Sequence, residues 1–118
     1  MKFASAFVDD HRILSRVGMA DTFWYRFCGL QGHSALPEGT GLYIRPCRMV
    51  HTFFMRFPID LIFLDPAGRI VHIEKDLRPW KLSRHIPAAE GVLECLSGTV
   101  ESLDLKLGQA VRLKPQQE

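Results

Sequence analysis

The sequence predicts a mainly β fold: a compact, single-domain β-barrel or sandwich-like structure with one or two short helices. Three observations carry this. The chain has 118 residues, enough for one core and one domain. Its apolar residues fall in short runs rich in β-branched and aromatic side chains, separated by clusters of turn-forming residues. Helix-like spacing is confined to two brief stretches.

Phe3 to Val8 and Ile13 to Val17 read as strands joined by the polar turn Asp9-Asp10-His11-Arg12. Asp21 is placed as a helix N-cap, with Phe23, Trp24 and Phe27 as an apolar stripe and Gly29 as the stop. His33 to Thr40, with Pro37 and Gly39, reads as a loop, and Leu42 to Ile44 as a short strand before Pro46. Pro58 belongs at the start of a strand, because inside a central one it would remove a ladder hydrogen bond. Ile59 to Leu64 is apolar on both alternating sides and therefore central. Asp65-Pro66-Ala67-Gly68 has the residue order of a type I turn, returning into a strand from Arg69 to Glu74. Gly91 to Leu96 is another strand, and Thr99 is placed to cap a brief helix through Leu105. A last strand runs from Ala110 to Leu113, so the core spans about 3–113 and residues 114–118 form a polar, fraying tail.

Composition excludes several classes. A hydrophobic share of 47% and a charged share of 24% are those of an ordinary globule. A formal charge of +2 argues against an extended nucleic-acid groove. Three cysteines cannot all pair within the chain, which fits a reducing compartment. The first residues are too short an apolar patch for a signal-peptide core, and no run approaches the ~20 apolar residues of a membrane span. The expected location is cytoplasmic. No nucleophile-elbow motif or phosphate-binding glycine loop is present, and no cofactor is expected.

The stretch Pro46 to Asp65 is the most informative, because it holds Cys47, His51, Met55 and Asp60 within an apolar run. Cys47, His51 and Met55 recur every four residues and are soft-metal ligand types. On a strand, however, that spacing separates them by ~13 Å, and zinc-like ligand distances are ~2.0–2.3 Å. The expectation is therefore packing for Cys47 and Met55 and no metal site. His51 and Asp60 are the stronger candidates for chemistry, as an oriented base beside a carboxylate. The structural reading of the same pair makes Asp60 an acceptor of backbone or Arg56 hydrogen bonds and His51 a satisfied core histidine. Glu94, inside an apolar strand, is expected to meet a basic partner in an ion pair. Lys75, Arg78, Lys81 and Arg84 fall three apart around Trp80, a pattern that suits an anionic ligand or a solvated loop.

Four pieces resemble a known family. They are Ala20-Asp21-Thr22 with Arg26-Phe27-Cys28-Gly29-Leu30; Pro46-Cys47 with His51-Thr52-Phe53-Phe54-Met55-Arg56-Phe57-Pro58-Ile59-Asp60; Phe63-Leu64-Asp65 with Gly68 and Pro79; and Val92-Leu93-Glu94-Cys95 with Gly98 and Gly108. Together they resemble domain-of-unknown-function family 192, also called uncharacterised protein family 0127. The His-Thr-x-x-Met-x-x-Pro-x-Asp piece is the specific one. This chain departs from many relatives at Gln31-Gly32-His33, where they carry Met and a basic residue, and at Gln109, where they carry Asp. The resemblance implies a compact β-rich fold and no established activity.

The functional expectation is a small binding or interaction module for a small polar or anionic ligand or a protein partner. Its surface would combine His51, Asp60, Arg78, Trp80 and Glu94. The alternative is an acid/base hydrolase using His51 with Asp60 or Glu94.

Overall fold

The structure is a computed structural model of the chain and describes residues 2–20 and 36–116. The helix expected from Asp21 to Gly29, the first part of the loop from His33, and Cys28 lie outside the described residues.

Seven strands form one sheet in the order β5-β4-β6-β3-β2-β1-β7. The strands are β1 (Lys2–Val8), β2 (His11–Ala20), β3 (Thr40–Ile44), β4 (Ile59–Leu64), β5 (Ile70–Leu77), β6 (Gly91–Leu96) and β7 (Val111–Pro115), with the short helix α1 (Thr99–Ser102) between β6 and β7. Every pairing is antiparallel except β2 with β3, whose register runs from Arg16 opposite Thr40 to Ala20 opposite Ile44.

The sheet curls until its two outer strands meet. The Ile70 amide donates to the Gln109 carbonyl at 2.9 Å, and the Val111 amide donates to the Gly68 carbonyl at 2.8 Å. Gly68 has φ +83°, and a Cβ there would lie 2.8 Å from the Val111 carbonyl oxygen. The seam therefore requires glycine on both counts.

Curling gives the sheet two apolar faces. The enclosed face gathers Ala6, Leu14, Val17, Tyr43, Ile62, Leu93 and Cys95. The helix α1 and the turn after it close one end of this space with Val100 and Leu105. The outer face of β3, β4 and β6 carries Leu42, Ile44, Ile59, Leu61, Phe63 and Val92, covered by Val50, Met55 and Ala89. Ile59 to Leu64 is buried at every position, as its two-sided apolar pattern predicts.

The predicted strands are all present, and the Asp65–Gly68 turn closes with the Gly68 amide donating to the Asp65 carbonyl at 2.9 Å. Three local expectations change. Residues 46–58, given strand spacing when a metal site was weighed, are not a strand but a loop over the outer face that pairs with another loop. Thr99 does not cap α1: Gly98 is the N-cap residue, with no side-chain cap from its own segment. The tail does not fray at Lys114, since Lys114 pairs with Ser5 and the Gln116 side chain donates to the Ser15 carbonyl at 2.6 Å.

Candidate functional site

Two loops, 46–58 and 78–89, lie side by side over the outer face like an irregular ribbon. The Ile86 amide donates to the Arg48 carbonyl, Ser83 to Val50, Thr52 to Lys81, and Trp80 to Thr52, all at 2.8–2.9 Å. Thr52 is fully buried and ties the ribbon twice more through its hydroxyl. That hydroxyl donates to the Arg78 carbonyl at 2.6 Å and accepts from the Lys81 amide at 2.9 Å. A hydroxyl so placed replaces the regular ladder that neither loop can form. The apolar side chains of Val50, Met55 and Ala89 anchor the ribbon below.

With those residues turned inward, the aromatic ones are left outside. His51 stacks on Phe53 at 4.9 Å between ring centroids, Phe53 stacks on Trp80 at 5.9 Å, and Phe54 tilts against Trp80 at 4.7 Å. Phe54 is 63% exposed and Trp80 59%, with Met49 and Leu82 also exposed nearby in sequence. Both Phe54 (φ 68°) and Trp80 (φ 66°) hold left-handed backbone conformations, which cost of order 1–3 kcal/mol each for such residues. The ribbon spends stability to hold two aromatic residues where water meets them.

The charge pattern is equally one-sided. The two loops contribute Arg48, Arg56, Arg78, Lys81 and Arg84, all exposed, and contain no Asp or Glu. Arg78 reaches back to Asp76 at 3.1 Å. The Ser97 hydroxyl donates to the same carboxylate at 2.7 Å; this bond, more than the Arg78 charge, holds Asp76 below the usual carboxylate range.

Asp60 is not part of this surface: it alternates to the enclosed face of β4, opposite Cys95, on the other side of the sheet from the ribbon. Its carboxylate is 1% exposed and accepts three backbone amides: Asp76 at 2.9 Å, Gly98 at 3.1 Å and Val100 at 2.9 Å. The carboxylate of β4 thus caps α1 from across the fold and fixes the end of β5 with its other oxygen. Of the two readings of Asp60, backbone acceptance describes the geometry, and Arg56 is not its partner.

Glu94 points to the outer face between Leu42 and Leu61, its register neighbours on β3 and β4. It is 3% exposed, and the expected basic partner is absent: no ion pair or side-chain hydrogen bond engages it among the described residues. Burial alone pushes its carboxyl up to about 8, so it is neutral over most of the ordinary pH range. The neighbouring Cys95 thiol is pushed up to about 12, chiefly by burial and then by the Asp60 charge, which removes it as a nucleophile.

The structure therefore joins His51, Trp80 and, through Thr52, Arg78 in one ribbon, whereas Asp60, on the other face of the sheet, reaches only the Asp76 amide at the end of β5. Glu94 stays within the sheet. Neither Asp60 nor Glu94 hydrogen-bonds His51, whose Nδ1 faces the Phe53 amide at 3.3 Å. Phe53 and Phe54 were missed as surface residues because their run of apolar neighbours reads as core. No group of three or more His, Cys, Asp or Glu with metal-binding geometry occurs among the described residues. No helix among them is long and apolar enough to cross a membrane.

Comparison with known proteins places these features in a family. Two solved structures share the fold at 21% identity. One, of unknown function from Novosphingobium aromaticivorans, has a TM-score of 0.81 over 93% of this chain and 83% of its own. The other, described as a putative transcription regulator from Sinorhizobium meliloti, has a TM-score of 0.79 over 95% and 92%. A UPF0127 protein of Thermococcus kodakarensis is 32% identical over 87% of this chain and 68% of its own length. A UPF0127 protein of Pyrococcus horikoshii is 32% identical over 81% and 85%. Residues 5–113 match the family DUF192, described as an uncharacterized ACR, and the chain belongs to that family.

Proposed function

We propose that this protein is a binding module whose contact surface is the two-loop ribbon, and that its partner is an acidic segment carrying apolar or aromatic side chains. The single observation that carries this reading is the stacked series His51, Phe53, Trp80 and Phe54, held outward by strained backbone within a wholly basic pair of loops. Exposed aromatic residues beside Arg and Lys, in loops that carry no acidic residue of their own, favour a partner that offers negative charge and flat apolar area together. Acid/base hydrolysis gains no support from the geometry, because both carboxylates named for it are buried away from the exposed His51.

The test is a titration followed by amide and indole resonances. Three probes suffice: a synthetic peptide alternating Glu and Phe, its Lys and Phe counterpart, and inorganic phosphate. The acidic peptide should shift the Trp80 indole and the amides of residues 50–54 saturably, more weakly at high salt. Trp80→Ala and Arg78→Glu should each weaken it about tenfold or more. Equal shifts with the basic peptide, or none at Trp80 with any probe, would remove the reading. Phosphate alone matching the acidic peptide would replace it with a small-anion site.

A further inference from the structure

Among the described residues, none plugs the end of the barrel opposite α1. A cavity of about 320 Å³ opens there, between the Asp65–Gly68 turn and the ends of β2, β3 and β7. This volume falls in the range of small-ligand sites, and the mouths of β-barrels are a recurring place for them. Its apolar lining comes from Met19, Leu64, Val111 and Leu113. The ribbon contributes none of its exposed aromatic residues to it.

The polar groups at this mouth are unlike those of a closed core. Arg45 and Glu90 both line the cavity, yet they form no ion pair with each other, and among the described residues neither side chain has an ion-pair or hydrogen-bond partner. Asp65 commits Oδ1 to the amides of Ala67 and Arg69 and leaves Oδ2 unused. Tyr43, 6% exposed, stands among them. Burial raises its hydroxyl above the ordinary phenol range, with the Arg45 charge opposing and the Glu90 charge adding to that effect. Tyr43 is also held in place by its neighbour: a Cβ on Gly91 would lie 2.5 Å from the phenol oxygen, so the ring packs directly over that glycine. A fixed neutral hydroxyl, one free guanidinium and free carboxylate oxygens thus surround an apolar floor.

We propose that this cavity binds a small zwitterion with an apolar side chain, of the α-amino acid class. Its carboxylate pairs with Arg45, its ammonium group with Glu90 and the free oxygen of Asp65, and its side chain covers Leu64 and Leu113. A guanidinium and carboxylates that face one space without neutralising each other are satisfied together by a ligand of both charges. A purely anionic ligand would leave Glu90 and Asp65 opposed to it, and a purely cationic one would leave Arg45 so.

The experiment titrates the whole chain with leucine, with isoamylamine and with 4-methylpentanoate, following methyl resonances of Leu64, Val111 and Leu113. Leucine is expected to give saturable shifts at these methyls, with each singly charged analogue about tenfold weaker or more. Arg45→Ala should remove the advantage of leucine over the amine. Glu90→Gln should remove its advantage over the carboxylate. Both are side-chain changes at a mouth where, among the described residues, only the backbone groups of Arg45 and Glu90 make hydrogen bonds, so the amide spectrum should otherwise stay folded. The idea is sunk if leucine produces no saturable methyl shift at about 10 mM, or if an analogue binds as well as leucine. Two variants that leave all three affinities unchanged would sink it equally. Shifts confined to Trp80 and its ribbon would assign leucine to the other surface and also overturn this site.

Discussion

Asp60 and Val100, forty positions apart, are joined by a 2.9 Å hydrogen bond from the Val100 amide to a buried carboxylate oxygen. The same oxygen takes the Gly98 amide, so a residue of β4 holds the start of the helix that closes one end of the barrel.

Asp60→Asn leaves one oxygen where three amides need acceptors, and it turns an N–H group towards donors. The expected loss is about 2–4 kcal/mol of unfolding free energy, read from denaturant midpoints. Hydrogen exchange at Val100 should accelerate more than at Leu93, because the helix start loosens before the sheet does.

Glu94 sets a pH dependence. Its folded carboxyl titrates near 8, while the unfolded chain's titrates near 4.5, so between these values the folded state holds the extra proton. This stabilising contribution is complete below pH 4.5, falls as pH rises, and is gone above the folded value. The expected decline is at most about 1.4 kcal/mol per pH unit inside that window. Glu94→Gln should flatten it, and parallel unfolding curves from pH 5 to 9 provide the check. An unchanged slope in the variant would assign the decline to other groups.

Thr52→Val removes the hydroxyl that bonds both the Arg78 carbonyl and the Lys81 amide. A cost of about 1–3 kcal/mol is expected, since those part-buried groups lose their partner and the buried Thr52 site no longer ties the loops. The Trp80 indole resonance should broaden or move as the two loops separate. Trp80→Ala, by contrast, removes an exposed ring and should change stability by less than about 1 kcal/mol.

Gly68→Ala forces a Cβ against the Val111 carbonyl at a backbone angle that disfavours it. Destabilisation of about 1–3 kcal/mol is expected. The Val111 amide, which donates to Gly68, should lose protection while the β3–β6 ladder keeps its own.

Much of the sheet was legible because its signals are local. Asp65, Pro66 and Gly68 specify a turn by their own backbone preferences, and Ile59 to Leu64 shows two apolar faces within six residues. The binding ribbon was less legible. His51 to Phe57 has the composition of a strand, but its hydrogen bonds go to residues about thirty positions later, whose loop gives no strand pattern. Asp60 was read as a choice between chemistry and structure because its three partners are backbone amides, which carry no residue identity. Glu94 was expected to seek a cation, whereas burial lets it remain neutral and need none.

The seam between Gly68 and Val111 has a last consequence, for self-association. An open seven-stranded sheet would offer two full edges to other chains, each a template for strand addition. Here the beginnings of β5 and β7 face each other, and among the described residues it is the far stretches that remain unpaired. Those stretches carry Glu74, Lys75 and Asp76 on one side and Arg112, Lys114 and Pro115 on the other. Charge and a missing amide thus mark what the curl leaves open, the features by which exposed strand edges are kept from acting as templates.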